Sequence, residues 1–379
     1  MKVLILDTYY SGFLGTTYRR DSTLAALPYA EQRDALLGLA FGTADFYSRR
    51  LRELGVDAID VIGNCAPLQW QWAREHGAAR GSWRRRLRDA VGVMRGVGRA
   101  VASPKEAETL VIEQVRAFAP DVLYCQNLSF LSPPALAEAK RHARLTVGQI
   151  ASPLPPREFL IGYDLIVTSF PHFVPRLRAL GVPSEYLRIG FEPRVLERLG
   201  PVPRSRPVTF VGGLSPAHAR GNRLLEALAH RIPLDVFGYG VETLPQDSAV
   251  RRRHCGEAWG LDMYRVLAES RITINRHIDV AEDNANNMRL YEATGTGALL
   301  VTDAKSNLGD LFRIGEEVLQ YRDEDEAVAL VERYLADADG RDRIARAGQR
   351  RTLTEHTYER RMQELLVILE QALVKSTAA

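Results

Sequence analysis

The feature that most constrains the fold is an alternation of short apolar runs with amphipathic segments of helical period. In the first half the apolar runs are "KVLIL" (2–6), "DAIDVI" (57–62), "DVLYC" (121–125), "LTVGQI" (145–150) and "DLIVTS" (164–169). Between the first two lies "EQRDALLGLAFGTADFYSRRLRELG" (31–55), which is predicted to be one amphipathic helix. Strands that alternate with helices predict a parallel sheet covered on both faces. The first half is therefore predicted to be a doubly wound α/β domain with about five strands.

The alternation restarts behind a passage rich in proline, "LRIGFEPRVLERLGPVPRSRP" (187–207). The later runs are "VTFVGG", "LDVFGYG", "RITIN", "ALLVTD" and "VLQY". With 379 residues the chain is too long for one ordinary core. We predict an N-terminal Rossmann-like domain over 1–193, a linker over 194–206 and a second Rossmann-like domain over 207–356. Two such domains predict a ligand cleft between the carboxyl ends of their sheets. The amphipathic segment 357–375 is predicted to be a helix that can pack back on the first domain.

The charge balance argues against nucleic acid as a partner, since a formal net charge of +3 is small for this length. One local excess consists of arginines with a single acid, Asp89, among them: Arg80, Arg84, Arg85, Arg86, Arg88, Arg95 and Arg99. This stretch is either a solvated helix face or a contact for an anionic acceptor or a membrane surface. Three scattered cysteines, Cys65, Cys125 and Cys255, fit no metal or disulfide spacing. With no signal peptide or long apolar segment, we expect a cytoplasmic protein.

The stretch "NANNMRLYEATGTGALLVTD" (284–303) predicts a short helix followed by a strand. The helix begins near Asn286 or Asn287, because asparagine is a strong N-cap, and Gly295 is predicted at the position just beyond its end. The free N–H groups of Asn287 and Met288 then form a site for an anion such as phosphate.

Arg289 and Glu292 stand three residues apart on this helix and allow two interpretations. On a solvated face they would form a surface ion pair. In a cleft that excludes water, Arg289 would bind an anion and Glu292 would bind sugar hydroxyls. A second phosphate contact is predicted where a strand ends in Gly212 and Gly213 before a helix that carries Arg220 and Arg223. An ordinary strand-to-helix turn with a solvated arginine is the alternative.

The candidates in the first half lie after its first strand, in the polar turn "DTYYSGFLGTTY" (7–18). Gly12, with Ser11 and Gly15, is predicted to approach the ligand, and Asp7 is a candidate base, although acids at strand ends are often caps. His172 and, in the second half, His277 also follow strands where site loops are expected. A lone histidine is more often structural, so both interpretations stay open.

The motif "NMRLYEATGTGALLVTD", followed by "NLGDLF", "EEVLQYRD" and "AGQRRTLTEHTYERR", resembles the C-terminal half of GT-B glycosyltransferases. The closest resemblance is to the family typified by the spore maturation protein CgeB, and it extends to "YAEQRDALLGLAFGTADFYSRRLRELG" and "NCAPLQWQWA" in the first half. It implies two Rossmann-like domains that face each other across a cleft. It also implies sugar transfer from a nucleotide-diphosphate sugar, with no metal and no separate cofactor.

The resemblance assigns roles to particular residues. Glu292 matches the second of two glutamates that have seven residues between them, and this second glutamate contacts the ribose. The first glutamate falls at Asn284, a departure for which Asp283 or Glu282 could substitute. The backbone amides of Asn287 and Met288 meet the diphosphate, and Arg220, or Arg223 in another alignment, neutralises the leaving group. Gly12 resembles glycines that adjoin the donor phosphates and the acceptor. The donor base and sugar, the acceptor and the stereochemistry stay open.

Paired α/β domains are also compatible with other functions. A dinucleotide oxidoreductase requires G-x-G-x-x-G between the first strand and helix, and "SGFLG" does not fit that pattern. A non-catalytic protein that binds nucleotide sugars or serves as a scaffold remains the main alternative, because Asn284 replaces a glutamate. An epimerase of the same fold would consume the donor without an acceptor.

Overall fold

The computed structural model describes residues 1–78, 103–214 and 219–378. The chain divides into two compact units, Met1–Leu187 with Met362–Ala379, and Arg188–Arg361. The predicted arginine-rich stretch from Arg80 to Arg99 lies outside the described residues. Within the described residues, no helix has both the length and the apolar character needed to cross a membrane.

The first unit is built on a six-stranded parallel sheet. Its strands are β1 (Lys2–Asp7), β2 (Asp57–Ile62), β3 (Val122–Cys125), β4 (Leu145–Ile150), β5 (Leu165–Thr168) and β6 (Ser184–Tyr186). Its helices are α1 (Ser11–Arg20), α2 (Tyr29–Gly38), α3 (Phe46–Glu53), α4 (Ala66–Glu75), α5 (Pro104–Phe118), α6 (Pro133–Lys140) and α7 (Phe173–Ala179). The strand order is β2-β1-β3-β4-β5-β6, so β1 lies between β2 and β3.

The second unit is built on a five-stranded parallel sheet of order β11-β10-β9-β7-β8. Its strands are β7 (Arg206–Val211), β8 (Leu234–Phe237), β9 (Ser270–Asn275), β10 (Leu299–Asp303) and β11 (Leu319–Tyr321). Its helices are α8 (Arg194–Leu199), α9 (Ala219–Arg231), α10 (Ala249–Arg252), α11 (Leu261–Glu269), α12 (Met288–Gly295), α13 (Glu324–Ala336) and α14 (Ala338–Glu355). The last helix, α15 (Tyr358–Ala378), contributes residues to both units.

Apolar residues of the strands hold each sheet in place. In the second unit, Val208 of β7, Ile272 of β9 and Val301 of β10 belong to one buried cluster. Leu225 and Leu228 of α9 are fully buried in the same cluster, so this helix covers the sheet with its apolar face. The predicted doubly wound architecture of both halves is confirmed.

The predicted helix over 31–55 is wrong, because the structure divides it into α2 and α3. The chain between them adopts left-handed backbone conformations at Ala40, Gly42 and Ala44, with φ of 55°, 58° and 42°. An α-helix cannot continue through such residues. Ala40 and Ala44 are buried, so packing holds a conformation that alanine does not favour by itself.

The turn predicted after β1 is also wrong, because Ser11, Gly12 and Gly15 lie in helix α1. The helix forms because Leu14 and Tyr18, four residues apart, are both buried and share one face. Ser11 and Gly12 are exposed in its first turn. These residues therefore belong to a helix and not to a flexible glycine turn.

Candidate functional site

The second sheet reverses its winding between β7 and β9, which are neighbours although β8 and α9 separate them in the chain. Ligands of doubly wound proteins bind outside the carboxyl ends of the strands at such a switch point. Here β7 ends in Val211 and is followed by Gly212 and Gly213, while β9 ends in Asn275 and is followed by Arg276. Phe210 pairs with Ile274, so the two strands end at the same level.

Helix α12 begins beside this point, and Asn287 is its N-cap as the sequence predicts. The Asn287 side-chain oxygen accepts a hydrogen bond from the Leu290 N–H at 3.2 Å. Its Nδ2 donates to Asn275 Oδ1 at 3.0 Å and to the Arg276 carbonyl at 3.2 Å. The N–H groups of Met288 and Arg289 lie in the first turn, where a helix provides no carbonyl partners. The cap thus fixes α12 against the end of β9 with these donors at its start.

The helix does not end as predicted, because Gly295 is its last residue and not the residue beyond it. The left-handed residue is Gly297, with φ of 81°. Gly295 lies instead against the ring of Phe191, where an added Cβ would be 2.5 Å from ring carbon Cγ. Close packing explains this glycine, and backbone conformation explains Gly297.

Arg289 and Glu292 form an ion pair of 2.7 Å, with 14% and 5% of their side chains exposed. The pair is therefore not on a solvated face. Arg289 Nε donates to the Val211 carbonyl at 3.2 Å, and Tyr264 Oη lies 3.4 Å from Glu292 Oε1. Burial raises the pKa of Glu292, while the Arg289 charge and the Tyr264 hydrogen bond oppose that rise. A carboxylate accepts about four hydrogen bonds, so Glu292 retains acceptor capacity.

The Gly212–Gly213 segment approaches the next strand closely. Gly212 N–H donates to the Phe237 carbonyl at 3.0 Å. A Cβ on Gly238 would lie 1.8 Å from the Gly212 carbonyl oxygen, and φ of Gly238 is 156°. The close approach therefore requires glycine at 238. The side chain of Arg220 lies outside the described part of the structure, and Arg223 is exposed on α9, so both predicted phosphate roles stay predictions.

The segment before α12 contains the residues considered for sugar recognition. Asn284 is half-buried, and its N–H donates to the Ala281 carbonyl at 2.9 Å. Asp283 is exposed, and its Oδ1 accepts from the Ser306 N–H at 3.2 Å. Glu282 is exposed with a left-handed φ of 51°. This conformation is costly for glutamate, which marks the segment as constrained.

The side chain of His277 is fully buried, and Asp303 holds its ring. The ring Nδ1 lies 2.6 Å from Asp303 Oδ1, which also accepts from the His277 backbone N–H at 3.1 Å. Burial alone would raise the pKa of Asp303, but the hydrogen bonds and charges of His277 and Lys305 outweigh burial and lower it. The Asp303 carboxylate thus fixes the orientation of this histidine at the ends of β9 and β10.

Arg276 is a site residue that the sequence patterns did not single out. Its Nη2 donates to the Gly213 carbonyl at 3.0 Å and to Asn222 Oδ1 at 3.1 Å. It thereby connects the end of β9 to the loop after β7 and to the first turns of α9. Only the strand order places these segments together. In the sequence, the only indication that Arg276 belongs to the site is its position directly after a predicted strand.

The first unit holds the remaining candidates. Asp7 is the last residue of β1 and partly buried, and its Oδ1 accepts from the Thr8 N–H at 2.7 Å. Burial raises the pKa of Asp7 to about 7, with the Thr8 hydrogen bond opposing the rise. His172 is the N-cap of α7, and its ring packs against Phe170 and Phe173. Gly12 lies in α1, as described above. The catalytic and binding roles of these residues stay predictions.

Comparison with known proteins finds one family model and several solved structures that are similar to this chain. Residues 219–367 match the model of a family described as glycosyl transferase-like. The structure is similar to Anabaena HepE in complex with UDP-glucose, with a TM-score of 0.59 and 15% identity over 98% of this chain and 100% of that one.

Two further structures are similar over nearly the whole chain. Sucrose-phosphate synthase from Thermosynechococcus elongatus gives a TM-score of 0.58 and 11% identity, covering 99% of this chain and 100% of that one. A glycosyltransferase involved in avilamycin A biosynthesis gives a TM-score of 0.56 and 14% identity, covering 99% of this chain and 98% of that one. No curated protein sequence matches the chain. The predicted GT-B fold is confirmed by these structures.

Proposed function

We propose that this chain is a glycosyltransferase that moves a sugar from a nucleotide-diphosphate sugar to an acceptor. The match of residues 219–367 to a glycosyl transferase-like family supports this. The similar HepE structure carries UDP-glucose. The finer placement in the CgeB-like family, and the cytoplasmic location, belong to the same proposal.

The observation that carries the proposal is the arrangement at the switch point of the second sheet. The first turn of α12, whose N–H groups have no carbonyl partner within the helix itself, lies beside the ends of β7 and β9. One and a half turns further on, the same helix holds Glu292 in a buried position. A helix start favours a diphosphate, and a buried carboxylate favours the hydroxyls of the attached ribose.

The proposed chemistry breaks the bond between the anomeric carbon and a diphosphate oxygen. Negative charge grows on the diphosphate as that bond breaks, so amide dipoles and guanidinium groups that meet it lower the barrier. In our proposal protein groups supply this stabilisation and no metal ion is needed. The acceptor hydroxyl forms the new bond and loses its proton, for which Asp7 is our candidate base.

A panel of UDP-, GDP- and TDP-sugars tests the proposal with the full-length protein. Calorimetry measures binding of each donor, and release of free nucleotide measures slow hydrolysis in the absence of an acceptor. We expect one nucleotide class to bind and its sugar to be hydrolysed slowly. If no donor binds, the proposed function is wrong.

The replacement of a glutamate by Asn284 favours one second candidate, a nucleotide-sugar-binding protein without turnover. The same panel separates the two functions. Donor binding without hydrolysis, and without transfer to simple sugar and alcohol acceptors, would support the second candidate. Loss of donor with an epimerised or unsaturated sugar as product would indicate an epimerase instead.

A further inference from the structure

Within the part of the chain that the structure describes, the Arg276 guanidinium has only uncharged hydrogen-bond partners. Its two hydrogen-bond acceptors are the Gly213 carbonyl and Asn222 Oδ1. Its guanidinium also lies 5.3 Å from the centre of the Phe210 ring. Among the described residues, no carboxylate forms a salt bridge with it. Arg289, by contrast, has Glu292 at 2.7 Å.

The surroundings of Arg276 disfavour an isolated cation. Burial lowers the pKa of its guanidinium, and Tyr321, Asp303 and Asp279 offset only part of that effect. Its Nε is buried and has no hydrogen-bond partner in the described structure. A partly buried charge and an unsatisfied donor both reduce the stability of a fold. Packing of the protein alone therefore does not account for arginine at this position.

The position of Arg276 shows which kind of ligand would compensate for this cost. Its backbone carbonyl accepts from Asn287, the cap of α12, so Arg276 adjoins a helix start whose first N–H groups have no partner within the helix. Its guanidinium adjoins Gly213 and α9. A Cβ on Gly221 would lie 2.0 Å from Arg276 Nη1 and 2.2 Å from Cζ, so glycine at this helical position leaves room for the guanidinium. Amide dipoles and a cation thus converge on one corner and favour an anion.

We infer that Arg276 binds the diphosphate of the nucleotide donor, an inference that rests on the proposed function and adds a binding residue to it. No described residue accepts a hydrogen bond from Nη1, so its N–H groups are available to phosphate oxygens. Gly213 and Asn222 hold the guanidinium through its other terminal nitrogen, Nη2. Arg276 supplies this charge independently of the role predicted for Arg220.

Titration calorimetry with UDP, GDP and TDP, and with the parent nucleoside of whichever one binds, tests the inference in the full-length protein. We expect Arg276→Gln to weaken binding of the nucleoside diphosphate by about tenfold or more, because a charge-assisted contact is lost. Binding of the parent nucleoside should change little. The control is Arg271→Gln, which removes an exposed arginine from the same strand; it should bind as the wild type does.

Gly221→Ala provides a second variant in which the charge is retained but the guanidinium is displaced. Alanine favours a helix more than glycine does, so this variant should fold. We expect it to weaken diphosphate binding in the same direction. Unchanged diphosphate affinity in Arg276→Gln, or equal losses for diphosphate and nucleoside in both variants, would overturn the inference. Failure of the wild type to bind any nucleoside diphosphate would instead show that the proposed function is wrong.

Discussion

Glu292 and Arg289 show at the residue scale why sequence spacing alone could not decide between two interpretations. Three-residue spacing on a helix is the same for a solvated pair and for a buried one. The structure buries both side chains, because α12 lies between the sheet and neighbouring residues such as Tyr264. An ion pair with this burial needs further polar partners to be favourable, which a ribose can supply.

The substitution Glu292→Gln keeps the shape of the side chain and removes its charge. We expect the affinity for the nucleotide sugar to fall about tenfold or more, because hydrogen bonds from ribose hydroxyls to a charged acceptor are stronger than those to an amide. Calorimetry with the donor selected by the panel measures the effect. The control Glu332→Gln changes an exposed glutamate of α13. Equal affinities of wild type and Glu292→Gln would show that this carboxylate is structural.

Asp7 leads to a prediction about pH. Its pKa is raised to about 7, so the carboxyl group loses its proton as the pH rises through that value. If Asp7 accepts the acceptor proton, the transfer rate should increase between about pH 6 and pH 8 and then level off. Initial rates across this range measure the effect.

Two variants, Asp7→Asn and its control Asp57→Asn, test whether the rise in rate comes from Asp7. Asp7→Asn should lower the rate about a hundredfold or more and remove this rise with pH. Asp57→Asn, which changes an exposed acid on β2, should leave both the rate and its profile unaltered. A wild-type profile that is retained in Asp7→Asn would exclude Asp7 as the base.

Helix α12 shows at the element scale what sequence predicts well. Its start was predicted correctly, because the asparagine cap is a local signal that depends on a few neighbouring residues. Its end was predicted wrongly, because glycine serves either packing or a left-handed conformation, and Phe191 is far away in sequence. The break between α2 and α3 was missed for a similar reason, since tertiary contacts hold Ala40 and Ala44 in the left-handed region.

Gly295→Ala tests the packing explanation for the end of this helix. The added Cβ would lie 2.5 to 2.7 Å from atoms of the buried Phe191 ring, so the ring or the helix must move. We expect the free energy of unfolding to fall by about 1 to 3 kcal/mol, as is usual for overpacked sites. Gly38→Ala, in α2, is the control because nothing lies within 4 Å of its Cβ position. Urea denaturation measures both variants, and equal stability in the two would contradict the packing explanation.

At the scale of the whole molecule, the order of the strands determines which parts of the candidate site can be predicted from the sequence. Apolar runs predicted the strands of both sheets, apart from the short edge strand β6, because burial on both faces leaves a local pattern. The order of those strands leaves no such pattern. Arg276 and Gly213 are 63 residues apart in the chain but meet because β7 and β9 are neighbours. Arg276 was therefore missed, although each segment around it was predicted.

His356 provides a prediction about the stability of the molecule as a function of pH. Its Nε2 lies 2.9 Å from the Leu311 carbonyl, and its ring packs among Tyr291 and Phe312. Burial, with a smaller contribution from the charges of Arg361, Arg351 and Arg188, lowers the pKa of His356 to about 4, although the Leu311 hydrogen bond opposes the shift. The folded protein therefore keeps this ring neutral at pH values where an unfolded chain protonates it.

The sign of the effect follows from proton binding. Between about pH 6.5 and pH 4 the unfolded chain binds more protons at His356 than the folded chain does, so the free energy of unfolding falls as the pH falls. The contribution of this residue is at most roughly 3 kcal/mol across that range. Urea denaturation at several pH values should show a weaker dependence for His356→Gln than for the wild type. His230→Gln, which changes an exposed histidine on α9, should keep the wild-type dependence. Identical dependence in all three proteins would mean that protonation of the buried ring does not limit stability in acid.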